Sequence, residues 1–251
     1  MKTNEDEMQF LECITQTYTT PSESPQDRLI RTLAIQTFAP YISPGGNALE
    51  FGCCDGFMTS LIATKVDSLT VVDGSKTFIE MARQRVPNNV SFIHTLFEDY
   101  KPNEKFDYIF ATYVLEHVND SIEFLCLARE LLNENGLLFL VVPNARAFSR
   151  QLARHMGLLD DLFALTPNDV NHGHRRVYDR SLLNRDISNA QLQSVSQGGL
   201  FFKLLADFQL DDLINNRILG EKQQDGLYKM GLEYPDFAGS LFSVCKKIAC
   251  S

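Results

Sequence analysis

The chain has 251 residues, of which 44% are hydrophobic and 22% are charged, and its formal net charge is −9 at pH 7. This composition excludes wholesale disorder, a collagen-like fibre and a coiled coil, and no apolar run is long enough to cross a membrane. The strong negative charge disfavours nucleic acid as a partner, because phosphate backbones would be repelled.

The N-terminal residues and the cysteines predict the compartment. Residues 1–7 are acidic and no apolar run follows them, so we expect no secretory signal. The six cysteines form no CxxC pair, which in a chain of this length is typical of reduced thiols. We therefore expect a cytoplasmic protein.

Two helices are predicted before the first strand. Apolar residues recur at helical spacing over residues 5–18, and residues 19–25 have the composition of a linker. Ser24 followed by Pro25 is typical of an N-cap and a first helical residue. A second helix is therefore expected from Pro25 to about Pro40.

Strands and helices alternate between residues 47 and 142. Short apolar segments predict strands at residues 48–51, 68–72, 90–94, 108–112 and 137–142, and helical periodicity predicts helices at 56–64, 75–86 and 120–132. Such apolar strands are expected to be buried on both faces. The predicted fold is α/β: a Rossmann-like, doubly wound, mostly parallel sheet with helices on both faces, and ligands beyond the carboxyl ends of the strands.

Beyond residue 143 the alternation weakens. Residues 144–185 mix helical and polar loop segments, which is where α/β enzymes often keep a lid over the substrate. Two last strands, at 192–196 and 240–245, would pair antiparallel. We predict an N-terminal helix and linker (1–25) and one main domain (26–251), made of a cofactor-binding half (26–143) and a C-terminal lid with the last strands (144–251).

A glycine-containing turn links the first predicted strand to its helix. Gly52 would allow a sharp turn and close approach of a ligand, and Gly56 would let the helix pack near the strand. The helix N-terminus offers N–H groups and the positive end of its dipole to a ligand. Because any tight strand-to-helix turn favours glycine, a purely structural role is also open.

An acidic residue, Asp73, ends the second predicted strand. A carboxylate at this place can accept both hydroxyl hydrogens of a ribose, as in dinucleotide sites. Alternatively, it caps the helix that begins near Ser75. The glycine turn and this carboxylate together favour a nucleoside cofactor.

The motifs continue along the chain in a specific order. Glu50-x-Gly52-x-x-x-Gly56 and Asp73 are followed by Phe-Asp-Tyr-Ile at residues 106–109 and Leu-Glu-His-Val at residues 115–118. From about residue 30 to residue 142, the chain resembles a class I S-adenosylmethionine-dependent methyltransferase. Cys54 stands in place of the central glycine of that family's usual first motif.

The resemblance implies S-adenosyl-L-methionine as cofactor and S-adenosyl-L-homocysteine as product. Gly52 would face the methionine and ribose part, with Glu50 supporting the loop, and Asp73 would bind the ribose hydroxyls. Glu98, or the backbone N–H of Phe97, would bind the adenine amino group. The other expected neighbours of the cofactor are Cys53, Gly56, Gly74, Ser75, Phe78, Thr112 and Tyr113.

The Leu-Glu-His-Val motif resembles that of ubiquinone-biosynthesis O-methyltransferases, in which it borders the methyl-transfer centre. His117 could accept a proton from a hydroxyl or ammonium acceptor, since an unperturbed imidazole titrates near neutrality. It could equally pack beneath the cofactor and bond a backbone carbonyl. The sequence leaves both roles open.

A second group of titratable side chains lies at residues 172–178, and it resembles a run found over the acceptor pocket of methyltransferases in polysaccharide and secondary-metabolite pathways. Arg175 and Arg176 would hold an anionic acceptor. His172 or His174 would be the general base, and Tyr178 would contact the substrate. These residues predict the acceptor side of the site.

Other roles remain open for this region. The segment could be a loop fixed by salt bridges, and Asp169, His172 and His174 could hold a metal ion, although HxH alone is a common pattern. We predict no metal. Asn144, at the start of the lid region, is a further expected substrate contact.

We therefore expect an enzyme that transfers the methyl group of S-adenosylmethionine to an oxygen or nitrogen nucleophile of a small molecule, such as a sugar, a saccharide-linked compound or a secondary metabolite. The alternative is a non-catalytic S-adenosylmethionine-binding module that acts as a sensor or partner surface. A nicotinamide-dependent dehydrogenase is disfavoured because the GxGxxG spacing is absent. No nucleic-acid or membrane partner is expected, and the oligomeric state is not predicted.

Overall fold

The computed structural model describes residues 4–18 and 24–248, whose strands form one sheet. The strands are β1 (Asn47–Phe51), β2 (Ser68–Asp73), β3 (Val90–His94), β4 (Phe106–Thr112), β5 (Leu132–Pro143), β6 (Leu192–Leu200) and β7 (Ser240–Lys247). Their order is β3-β2-β1-β4-β5-β7-β6. β1 to β5 are parallel, and β7 runs antiparallel to β5 and β6. The predicted doubly wound, mostly parallel sheet is confirmed.

Helices cover both faces of the sheet. They are α1 (Asn4–Tyr18), α2 (Pro25–Phe38), α3 (Phe57–Ala63), α4 (Lys76–Arg83), α5 (Ser121–Leu131), α6 (Phe148–His155), α7 (Pro167–Asn171), α8 (Arg180–Asn189), α9 (Asp207–Asn215) and α10 (Glu221–Glu233), with 3-10 turns at Ala39–Tyr41, Phe97–Asp99 and Pro235–Phe237. α9 and α10 have no counterpart among the predicted helices. The predicted linker residues 19–23 lie outside the described residues.

Two hydrophobic cores lie on opposite faces of the sheet. Phe38, Ile62 and Phe139 belong to one core, and Phe51 and Leu125 belong to the other. The predicted burial on both faces holds for the central strands β1, β4 and β5. It is wrong for β3, whose residues are all half-buried or exposed, because an edge strand has a single neighbour and less helical cover.

Local signals set where helices begin. Ser24 accepts a hydrogen bond from the backbone N–H of Asp27, and Pro25 is the first residue of α2, as predicted. No helix among residues 4–18 and 24–248 has the length and apolar character that crossing a membrane requires. The five cysteines within the described residues are all free thiols, and Cys250 lies outside them.

Gly56 brings two helices together, which differs from the predicted contact between helix and strand. It has φ +79° at the N-cap of α3. A Cβ there would lie 2.5 Å from Cα of Ala82 in α4 and 2.8 Å from its Cβ. Glycine is therefore required at this position by backbone conformation and by the packing of α4.

We predict that Gly56→Ala lowers the free energy of unfolding by about 2 kcal/mol or more, because left-handed strain and overlap with Ala82 act together. Urea unfolding followed by circular dichroism measures this. The matched control is Gly226→Ala inside α10, where an added Cβ meets nothing within 4 Å. That control should gain about 0.5–1 kcal/mol from helix propensity. Equal effects of the two substitutions would contradict the packing argument.

Candidate functional site

The turn after β1 is held in an unusual conformation. Gly52 has φ +77° and its N–H donates to the carbonyl of Val72, 2.9 Å away. Cys54, at the place where a glycine was expected, has φ +46°, which an L-residue adopts at a cost. Arg31 of α2 anchors the turn by an ion pair of 2.7 Å with Asp55. A rigid backbone is therefore presented at the carboxyl end of β1.

Asp73 lies beside this turn, at the carboxyl end of β2. Its Oδ2 accepts from the N–H of Cys53 at 2.8 Å and from the Cys53 thiol at 3.4 Å, and its Oδ1 accepts from the N–H of Ser75 at 2.8 Å. Ser75, not Asp73, is the N-cap of α4. Burial raises the pKa of Asp73, although these hydrogen bonds act against the increase. The carboxylate thus joins two turns and keeps limited acceptor capacity for a ligand.

Glu50, in β1, is buried without a hydrogen-bond partner. It is 1% exposed, and neither carboxylate oxygen bonds to any described residue. Burial raises the pKa of Glu50 to about 8, with the nearby Thr59 and Arg31 opposing the increase. An unpaired buried carboxylate costs free energy, so a cationic ligand group would be favoured next to it.

The end of β4 has a second strained residue. Tyr113 has φ +58°, its N–H donates to the carbonyl of Val141, and its hydroxyl lies 2.9 Å from Oγ of Ser240. Thr112 beside it is buried. β4 pairs with β1 in parallel, so this end lies next to the glycine turn.

Glu116, His117 and His174 form a cluster just beyond β4. One potential ligand atom from each lies within 4.8 Å of the other two. Glu116 is 0% exposed, and both of its carboxylate oxygens have no hydrogen-bond partner within the described parts of the chain. Burial raises the pKa of Glu116 to about 7, and the charge of His174 opposes the increase. Burial, together with the charge of His174, lowers the pKa of His117 to about 3.

Asp169 stands behind His174. Its Oδ1 lies 3.2 Å from Nδ1 of His174, and its Oδ2 accepts from Thr166 and forms an ion pair with Arg150 at 3.3 Å. Burial acts to raise the pKa of Asp169, but His174, Thr166 and Arg150 hold it below the usual range. A charged carboxylate therefore orients the His174 ring.

The two predicted anion-binding arginines are used inside the fold. Arg176 donates to the carbonyls of residues 115, 118 and 119 at 2.5–2.7 Å. Arg175 donates to the carbonyl of His117 at 2.6 Å and to the carboxylate of Glu7, and it lies over the ring of Phe10. The structure favours a loop-fixing role for both over the predicted anion clamp, because these bonds tie the segment that holds both arginines to the segment after β4.

Tyr178 and Asn144 are buried rather than facing a substrate. Tyr178 is 2% exposed and donates to Asp186 at 3.0 Å. Asn144 is also 2% exposed and donates to the carbonyl of Ala238 at 2.8 Å. Their predicted role as substrate contacts is not supported, since both polar groups are satisfied within the core.

Helix α1 covers this edge of the sheet. Leu11 packs on the backbone of Gly74, and Glu12 accepts from the N–H of Lys76 at 2.5 Å. The Tyr18 ring meets Phe78 at 5.5 Å and His172 at 4.9 Å between centroids. Gly74, Phe78 and His172 are predicted site residues, so α1 closes over the predicted site.

The side chains of Phe97 and Glu98 lie in different surroundings. Phe97 packs on Phe51, with 5.2 Å between ring centroids. Glu98 is exposed and lines a groove of about 240 Å³ with Leu96, Glu7 and other residues. Of the two predicted adenine contacts, the side chain of Glu98 is the one on an open surface.

Three features of the site were not predicted from the sequence. They are the buried, unpartnered carboxylate of Glu116, the ion pair by which Arg31 anchors the turn, and the position of α1 over the predicted site residues. Glu116 lay inside a recognised motif, so its acidic side chain was a visible signal. Arg31 and α1 act through residues far away in sequence, and no local pattern marks such contacts.

The comparisons with known proteins all match this chain to methyltransferases. Residues 26–197, well over half of the chain, match the family described as methyltransferase domain. Identity is 25% over 181 residues to a ubiquinone biosynthesis O-methyltransferase of Actinobacillus pleuropneumoniae serotype 7, covering 67% of this chain and 75% of that enzyme. The corresponding enzyme of serotype 5b is 29% identical over 109 residues, 40% of this chain and 47% of that enzyme. The chain therefore spans about half the length of this relative.

Solved structures share the fold. The N-methyltransferase NodS of Bradyrhizobium japonicum WM9, in complex with S-adenosyl-L-homocysteine, superposes with a TM-score of 0.63 at 15% identity and covers 95% of this chain and 98% of NodS. DhpI in its SAM–HEP complex also gives a TM-score of 0.63, at 16% identity, over 98% of this chain and 99% of DhpI. At such identities the likeness establishes the fold.

We predict that Glu50→Gln changes the pH dependence of stability. The folded-state pKa of about 8 lies above the unfolded value of 4.5, so folding favours the protonated acid. That contribution is fully present below the unfolded pKa and is lost as pH rises through the folded one. In urea unfolding without ligand, the wild type should lose about 1–3 kcal/mol relative to Glu50→Gln between about pH 5 and pH 8.

The exposed glutamate of α4 provides the control for this measurement. Glu80→Gln should follow the wild-type pH dependence, because Glu80 lies at the surface. If wild type and Glu50→Gln have parallel stability curves over this pH range, Glu50 is not buried as an unpaired acid.

Proposed function

This chain belongs to the methyltransferase domain family, and we propose on that basis that it transfers the methyl group of S-adenosyl-L-methionine to an oxygen or nitrogen atom of a small molecule. The observation that carries the proposal is the arrangement at the carboxyl ends of two neighbouring strands. The strained Gly52 turn, the carboxylate of Asp73 and the unpartnered acid Glu50 lie at the ends of adjacent strands β1 and β2.

The residues present fit the proposed cofactor. The α-ammonium group of its methionine part is cationic, and Glu50 is a buried acid that has no partner among the described residues. Asp73 uses three of a carboxylate's roughly four acceptor positions, and the weakest of its bonds is to the Cys53 thiol at 3.4 Å. A ribose hydroxyl could therefore bind at the open position or replace the thiol.

The cofactor supplies an electrophilic methyl group on a sulfonium, so the protein has two remaining tasks: to position the acceptor in line and to remove one proton. Glu116, His117 and His174 lie beyond β4, next to the turn after β1. Asp169, 3.2 Å from Nδ1 of His174, orients the ring of this histidine, so we assign the proton acceptor's place to His174 on geometry. His117 is a weak proton acceptor, because burial lowers its pKa to about 3.

Cofactor exchange in this proposal requires α1 to move. The helix contacts Gly74 through Leu11 and the start of α4 through Glu12. Those contacts cover residues assigned to the adenosine part of the cofactor. A small-molecule acceptor and a cytoplasmic location are parts of this proposal.

We predict that Asp73→Ala weakens binding of S-adenosyl-L-homocysteine by about tenfold or more, because each charge-assisted bond lost is worth about 1.5–3 kcal/mol. Isothermal titration calorimetry on the full chain measures the dissociation constant. The matched control is Asp67→Ala, since Asp67 is exposed and precedes the opposite end of the same strand. The control should bind like the wild type.

An unchanged dissociation constant in folded Asp73→Ala would remove Asp73 from the cofactor site. Because Asp73 also joins two turns, thermal melting of Asp73→Ala and of Asp73→Asn should accompany the titration. The non-catalytic alternative is tested separately by formation of S-adenosyl-L-homocysteine with panels of hydroxyl and amine acceptors. Tight cofactor binding with no turnover across these panels would favour a sensor module.

A further inference from the structure

We propose that Glu116, His117 and His174 bind one divalent transition-metal ion, with Zn²⁺ as the fitting type. The proposal rests on the geometry of the three side chains and does not depend on methyl transfer. It differs from the sequence-based expectation of no metal, and from the alternative set of Asp169, His172 and His174, in using the acid of the Leu-Glu-His-Val motif.

The buried carboxylate is the observation that points to a ligand. Glu116 is 0% exposed and both of its oxygens lack a hydrogen-bond partner among residues 4–18 and 24–248. Native proteins pair nearly all buried polar groups, and a carboxylate left unpaired is among the most costly exceptions. A divalent cation would remove that cost by bonding the oxygens directly.

The donor set has the chemistry of a transition-metal site. Two imidazoles and one carboxylate form the three-ligand set of catalytic zinc sites, which leave a further position open. The three ligand atoms lie within 4.8 Å of one another. Zinc bonds to nitrogen and oxygen are about 2.0–2.2 Å long, so ligand atoms around a tetrahedral ion lie about 3.3–3.6 Å apart. Binding would therefore draw the three atoms together by up to about 1.5 Å, through side-chain movement.

A second group of residues orients these ligands. Asp169 faces Nδ1 of His174 at 3.2 Å, which makes Nε2 the nitrogen that would bind the ion. A carboxylate behind a metal-binding histidine is the usual outer partner. The N–H of Arg175 donates to the carbonyl of Glu116 at 2.7 Å, and its guanidinium donates to the carbonyl of His117. These bonds fix the segment with His174 against the segment with Glu116 and His117.

The ion would also change how the acceptor hydroxyl is deprotonated. If the proposed function holds, an acceptor hydroxyl at the open position would pass its proton to solvent water more readily, because a bound divalent cation lowers the pKa of its oxygen ligands. Its oxygen would then bond to the methyl carbon as the bond from that carbon to the sulfonium sulfur breaks, and S-adenosyl-L-homocysteine would leave. The histidines would then act as ligands and not as the base. Metal binding itself is tested without any acceptor.

Metal binding is measured on the full chain after dialysis against a chelator. Titration with Zn²⁺ should give one ion per chain, and Co²⁺ should give visible d–d absorption without a thiolate charge-transfer band. Glu116→Gln, which keeps shape and removes charge, should weaken Zn²⁺ binding by about 100-fold or more, as should His174→Ala. Thermal melts should show Zn²⁺ stabilising the wild type and neither variant.

Two controls separate this site from other histidines. His155→Ala removes an exposed histidine at the end of α6 and should bind Zn²⁺ like the wild type. His172→Ala should do the same, because its Nδ1 bonds the carbonyl of Asn168 and it is outside the cluster. Loss in His172→Ala with retention in Glu116→Gln would overturn the proposed ligand set.

The absence of stoichiometric binding by the wild type would overturn the proposal entirely. Binding of S-adenosyl-L-homocysteine, measured on the same samples, reports on the proposed function separately. A chain that binds the cofactor but no metal refutes this inference alone. A chain that binds metal but no cofactor refutes the proposed function and leaves the metal site standing.

Discussion

The parallel pairing of β1 with β4 places the ends of two central strands side by side, and the rest of the site depends on this. Each strand is followed by backbone in the left-handed region, at Gly52 and Cys54 after β1 and at Tyr113 after β4. Such conformations cost about 1–3 kcal/mol for residues other than glycine and persist only where neighbours enforce them. Arg31 enforces the first turn through Asp55, and Ser240 holds the hydroxyl of Tyr113.

Glu50 and Glu116 are buried acids whose carboxylate oxygens have no hydrogen-bond partner within residues 4–18 and 24–248. Glu50 is within β1 and Glu116 follows β4, so both are close to the strained turns. Burial raises the pKa of each above the ordinary range of a glutamate. The free chain therefore holds two sites where positive charge is favourable, one beside the proposed cofactor and one beside the proposed metal ion.

Much of the fold was predictable because the signals are local. The alternation of apolar segments gave β1 to β5 in order, and Ser24 and Pro25 marked the start of α2. The last two strands were expected from short apolar segments. α9 and α10 were missed; α10 contains two glycines, Gly226 and Gly231, which weaken its helical signal.

The site was predicted less completely, for a physical reason. The glycine turn and Asp73 are local motifs, and the structure brings them together as expected. Arg175, Arg176 and Tyr178 were assigned from charge and residue type, but their partners are backbone carbonyls and Asp186, which only the tertiary fold brings near. A sequence shows which groups can form hydrogen bonds; it does not show which of them are already used.

Helix α1 precedes the part of the chain that matches the family, residues 26–197, yet it covers the edge where the ligands would bind. It is attached by Glu12 at the start of α4, by Glu7 with Arg175, by the Tyr18 ring on Phe78 and His172, and by apolar side chains on Gly74 and Gly173. A helix on the outside of a sheet can detach by local opening, at a lower free energy than global unfolding. The residence time of a bound nucleoside would thus be set by α1 undocking, and substitutions on α1 would tune it while the shared domain stays unchanged.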